Sequence, residues 1–190
     1  MNRWNLGPFC AVLLLAFGNP PTDTVDNIEQ NYLFEVEYVN HAWGLAWNGL
    51  VIDRSGDIYA YDHGHAIWEP SSDDTYTETE LEHKYTHASR YVGRIDQATI
   101  TQQFSRIGSV GEHFLNPHQA CADAGSITYR AFSYEPSNEV YRPLLLREEG
   151  DIPKKNVSNA AEELASWLRS LVLTLEDAGV TPFSEGVCTP

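Results

Sequence analysis

A leucine stripe near the C-terminal end limits what this chain can fold into. Leu164, Leu168, Leu171 and Leu175 recur at helical spacing, with Ala161, Trp167 and Val172 widening the same face. A helix with one apolar face must bury it against a complementary apolar surface. Ser158 or Asn159 can cap this helix, Glu162 stands where a capping box places its acid, and Gly179 and Pro182 end it.

Strand segments upstream supply that surface. In Leu33 to Val39, Phe34, Val36 and Tyr38 alternate with Glu35 and Glu37, the period of a strand with one buried face. Trp47 to Asp53 and Asp57 to Asp62 flank Arg54-Ser55-Gly56, where glycine suits a tight reversal, and read as a hairpin. Ile127 to Tyr134 and Val140 to Arg147 form a second hairpin around Glu135-Pro136-Ser137-Asn138. Pro143 lacks a backbone N–H, which places its strand at a sheet edge or at a bulge. Between the hairpins, Glu80 to Val92 reads as a weak helix. Asp96 caps a further helix over Gln97 to Ile107, with Ile100, Phe104 and Ile107 on one face. The expected fold is α+β: an antiparallel sheet of about five strands, built from two hairpins, with two or three helices packed on one face.

The N-terminal end reads differently. Arg3 precedes the apolar run FCAVLLLAF (Phe9 to Phe17), and Ala16-Phe17-Gly18 offers small residues for signal cleavage. Nine apolar residues reach only about 14 Å as a helix, short of the roughly 30 Å core of a bilayer. The expected organisation is a signal peptide at 1–18, a flexible linker at 19–30 rich in polar residues and proline, and one α+β domain at 31–190. The protein is therefore expected outside the cytoplasm, periplasmic or extracellular, with no stable membrane span. Cys10 lies inside the apolar run rather than after it, which argues against lipid attachment. Cleavage would leave Cys121 and Cys188, an even pair in a compartment that permits a disulfide.

With 12 basic and 27 acidic residues the formal charge is −15. That balance argues against nucleic acid as a partner, because such binding depends on Lys and Arg neutralising phosphates. An unidentified protein or small molecule is the expected ligand, and no cofactor is expected.

Four histidines provide the main alternative. His63 and His65 alternate at a strand end, and His83 and His87 stand four apart, as zinc or copper ligands on a helix do. Their pattern invites a metal-binding or metal-dependent hydrolase reading, while solvated histidines in a polar segment explain the same residues. Asp53, Ser55 and Asp57 do not fit a calcium loop, since Gly56 is fourth and Gly64 twelfth from Asp53. Trp43, Trp47, Trp68, Tyr59 and Tyr61 suggest either an aromatic platform for a ligand or a core. The chain has no Gly-x-Ser-x-Gly, phosphate loop or His-Glu-x-x-His. Asn156-Val157-Ser158 matches a glycosylation acceptor but falls at a helix start.

The stretch VNHAWGLAWNGLVIDRSGDIYAYD (Val39 to Asp62) resembles a hairpin that recurs in uncharacterised exported bacterial proteins. So does Cys121 through Leu171, with its Cys-Ala-Asp-Ala-Gly opening, Tyr-Arg-Pro-Leu-Leu-Leu strand and Glu-Gly-Asp before the last helix. The resemblance implies an exported α+β domain and brings no known activity or catalytic residue with it.

Overall fold

In the computed structural model, residues 28–42, 44–64, 67–72, 74–86, 90–115 and 118–180 are described. The expected signal segment, Trp43, His65, His87 and Cys188 lie outside them. The fold is α+β with one antiparallel, curled sheet, but the sheet has eight strands rather than five. They are β1 (Tyr32–Asn40), β2 (Ala46–Asp53), β3 (Asp57–Asp62), β4 (Tyr76–Thr77), β5 (Arg90–Arg94), β6 (Ser126–Glu135), β7 (Val140–Gly150) and β8 (Lys154–Lys155). The order across the sheet is β4-β7-β6-β1-β2-β3-β5, with β8 also paired to β7. The helices are α1 (Glu78–Tyr85), α2 (Gln97–Phe104) and α3 (Asn159–Asp177).

The two expected hairpins form the centre. In β2–β3, Gly56 takes φ +79 and Asp53 accepts hydrogen bonds from the Ser55 and Asp57 amides, which fixes the reversal. The additional strands are short or weakly patterned segments that cover edges. The helix expected over Glu80 to Val92 is present only as far as Tyr85; Arg90 to Val92 instead belong to β5, which pairs with β3 and completes the sheet. Gly93 weakens a helix there by about 1 kcal/mol relative to alanine, while the open edge of β3 supplies backbone partners. β4 pairs with Tyr141 and Val140 at one end of β7, and β8 with Arg147 and Glu148 at the other. Pro143 falls in the gap between them, and a bulge opposite Tyr129/Arg130 lies just beyond it.

Alternation along β1 divides the molecule into two layers. Phe34, Val36 and Tyr38 join Leu50, Ile52, Ile58, Tyr129 and Leu146 beneath α2 and α3. Ile100 of α2 and Ala161, Leu164, Ala165, Leu168, Val172 and Leu175 of α3 fill this layer from above. Asp96 caps α2 by accepting from the Thr99 amide, and Ser158 caps α3 by accepting from the Ala161 amide. Glu162 does not close a capping box; it pairs with Lys155 at 2.9 Å.

The other face is covered as well, which corrects the expectation of helices on one side only. α1 packs there with Leu81, Lys84 and Tyr85, spaced i, i+3 and i+4 on one helical face. Val51, Tyr61, Trp68, Tyr76, Phe132 and Tyr141 complete this second layer. Gln30, at the end of the expected linker, is buried here: its amide nitrogen donates to the Tyr32 and Phe132 carbonyls, and its oxygen accepts from the Tyr134 amide.

Candidate functional site

Glu35 and Glu37 share the β1 face that the alternation assigns to solvent, yet both are buried. β1 lies between β2 and β6, so whatever covers this face covers its middle strand most completely. Carboxylates in such a place need opposite charge and hydrogen bonds. Lys84 descends from α1 and is itself 2% exposed. Its Nζ lies 2.6 Å from Glu35 Oε1 and 2.7 Å from Glu37 Oε2. Arg130 rises from β6, and its Nη1 lies 2.9 Å from Glu35 Oε2 and 2.5 Å from Glu37 Oε1. Two anions and two cations from three elements thus close a four-membered ring of charge.

Neutral donors complete the shell. Tyr61 and Tyr85 each donate their hydroxyls to Glu35 Oε1 at 2.8 Å, and Trp47 donates its indole N–H to Glu37 Oε2 at 2.7 Å. Lys84 also sits 4.8 Å from the Trp68 ring centroid, in cation–π range. Gly49 makes room for this arrangement, because a Cβ there would lie 2.6 Å from the Tyr61 hydroxyl. Positioning of Lys84 begins at the head of α1, where Thr77 and Glu80 form a reciprocal capping box. Hydrogen bonds from Ser71 and Thr77 lower the Glu80 carboxyl to about 2, so this cap stays anionic at neutral pH.

The electrostatics follow from the geometry. Burial alone would raise the Glu37 carboxyl, but Lys84 and Arg130 outweigh it and hold Glu37 well below the usual carboxylate range. Burial, reinforced by the Glu35 charge, pushes the Tyr61 and Tyr85 hydroxyls well above their ordinary value of 10.0. Burial also lowers the affinity of Arg130 for its proton, yet the two glutamates prevail and keep it charged.

Arg130 is the member of the ring that reaches solvent, with 23% of its side chain exposed. It lines an open groove of about 390 Å³ together with Glu37, Val39, Tyr76, Ser126, Thr128, Pro143, Leu145, Glu148 and Lys154. Ser126, Thr128 and Arg130 alternate along β6 and so face the groove as a row. Thr128 is only 7% exposed, and its hydroxyl makes no hydrogen bond among the described residues. Glu148, directly opposite Thr128 on β7, pairs with Lys154 at 3.0 Å. The groove is therefore built from balanced charge over a fixed β-sheet floor.

The histidines expected as metal ligands are distributed differently. His63 is buried, its ring edge-on to Trp47 and Tyr61 at 5.1 and 5.3 Å. His83 is exposed in the last turn of α1. His65 and His87 lie outside the described residues, and among the described residues no three His, Cys, Asp or Glu side chains gather as a metal-holding group. Of the aromatic residues considered as a platform, Tyr61 and Trp68 are core. Trp47 and Tyr59 pack against that core half-buried. Sequence reasoning missed Glu35, Glu37, Lys84 and Arg130. The available signal was the run Trp47 to Asp53, whose apolar residues fall on both sides of the strand, as in a sheet covered on both faces.

Comparison with protein-family models, curated proteins and solved structures found no match to this chain.

Proposed function

We propose that this is a non-catalytic, exported binding domain whose ligand site is the groove beside the buried charge ring. The observation that supports this reading is Arg130. Two glutamates hold one of its nitrogens, which leaves the rest of the guanidinium without a protein partner among the described residues, in the lining of a groove where the Thr128 hydroxyl is also unengaged. Replacing buried ion pairs with well-packed apolar residues is often neutral or stabilising, so stability alone is a poor reason to keep four buried charges. A rigidly held guanidinium in a ligand groove is a better one. The reading as binding rather than catalysis rests on the carboxylates. A general base works best with a pKa near the operating pH, whereas Glu37 is held far below it.

A thermal-stability screen of the secreted chain against small polar compounds tests the reading. A ligand at one hundred times its Kd should stabilise the fold by about 2.7 kcal/mol. Thr128→Val should weaken that ligand's binding by about two- to tenfold, the effect of one hydrogen bond. A ligand whose binding ignores Thr128→Val binds elsewhere.

Export is supported by the order of charge, apolar run and small residues over 1–18. Intact-mass analysis of the secreted protein should show a chain beginning near Asn19. Alkylation after unfolding without reductant should find no free thiol, because Cys121 and Cys188 are bonded. A product retaining Met1 contradicts export by this signal, and two alkylated cysteines contradict the bridge. That bridge would close about 67 residues and contribute roughly 4 kcal/mol.

A further inference from the structure

We propose that the groove takes a zwitterion, an α-amino acid with an apolar side chain. This proposal rests on the groove being the binding site. Three observations carry it. The lining holds two cations, Arg130 and Lys154, and two anions, Glu37 and Glu148, so the cavity is electrically balanced within a strongly acidic protein. A ligand with net negative charge meets the field of the whole chain, and one with net positive charge meets the guanidinium on the groove floor.

Balanced charge is also separated charge. Arg130 and Thr128 are neighbours on one strand face, and Glu148 faces Thr128 across the ladder. Arg130 and Glu148 are therefore diagonal neighbours across the ladder, roughly 7–8 Å apart. That spacing suits a carboxylate accepting from Arg130 and an ammonium donating to Glu148, each over a hydrogen bond of roughly 3 Å. Arg130 has donors to offer, since its contacts to both glutamates are made through Nη1. Glu148 likewise engages Lys154 through Oε2, and its Oε1 makes no hydrogen bond among the described residues. Thr128, whose hydroxyl makes no hydrogen bond among the described residues, neighbours both positions and lines the same groove. Val39, Pro143 and Leu145 contribute apolar surface to the same groove, and this is where the ligand's side chain packs.

The test is calorimetric titration of the secreted chain with L-leucine, isocaproate, which lacks the amine, and isoamylamine, which lacks the carboxylate. Leucine should bind, and each truncated probe should bind at least about tenfold more weakly, since each leaves one charged partner unanswered. Glu148→Gln should weaken leucine about tenfold and leave isocaproate unchanged. Both Glu148→Gln and Thr128→Val alter groove-lining positions outside the buried ring, so neither depends on the ring surviving mutation. If isocaproate or isoamylamine binds as tightly as leucine, the zwitterion assignment is overturned, and the groove stands if Thr128→Val weakens that probe. If no probe binds but another compound from the screen responds to Thr128→Val, the assignment falls alone. If neither the probes nor any screened compound responds to Thr128→Val, the assignment and the groove both fall.

Discussion

Lys84→Met should destabilise the fold by about 3–5 kcal/mol, the range for removing one partner from a buried ion pair. The substitution keeps an unbranched chain of similar length, so the packing of the stem against Trp68, Tyr61 and Tyr85 is largely retained. What is lost is the charge between Glu35 and Glu37, which leaves Arg130 as the one cation of the ring beside both carboxylates. Arg130 cannot neutralise two anions, and one glutamate must take up a proton or draw in water. Glu37→Gln in the same chain removes one of those anions. The double variant should therefore be less destabilised than the two single effects added together, because members of one network are not additive. Urea midpoints of the four proteins in this cycle give the comparison. Additive effects, or a cost below about 1 kcal/mol for Lys84→Met, would place Lys84 outside the network.

The second large effect belongs to the other layer. Leu168 is fully buried in α3, one helical turn from Leu164 and Val172, in the same core layer as Phe34, Val36 and Ala131 of the sheet. Leu168→Ala should cost about 2–5 kcal/mol through lost burial and the cavity left behind. His83→Ala, on the exposed side of α1, should change stability by no more than about 0.5 kcal/mol. Denaturant midpoints measured without chelator decide between them. A His83→Ala effect larger than that of Leu168→Ala, and reproduced by chelator, would make a structural metal the leading account.

The layer beneath α3 was legible in the sequence and the layer beneath α1 was not, and the difference has a physical cause. Leu164, Leu168 and Val172 advertise a buried face because their spacing matches the helix and their chemistry matches the core. The Gly56 reversal and the Asp96 cap are equally local: a few adjacent residues specify them. Alternation in β1, by contrast, reports which residues share a face, and it does not report whether that face is covered. Glu35 and Glu37 therefore look solvated until β1 is known to lie between β2 and β6. The partners that make their burial tolerable are remote in the chain. Arg130 is 95 residues from Glu35, and Lys84 belongs to a helix with weak amphipathic patterning. β4, β5 and β8 escaped for a related reason. Two-residue strands carry no period, and Arg90–Arg94 became a strand because β3 had an open edge.

An ionised buried ring that holds Arg130 in place leaves a signature in acid. Glu37 has a folded pKa depressed below its unfolded value, so its contribution to stability is complete above the ordinary value of 4.5. As the pH falls further, that contribution is lost progressively toward the depressed folded value. Carbon-detected NMR of the glutamate side-chain carboxyls, with Glu37 assigned through Glu37→Gln, follows this directly. The Glu37 carboxyl resonance should stay at its ionised position from pH 7 down to about pH 4. A Glu37 midpoint at or above the ordinary 4.5 would contradict it.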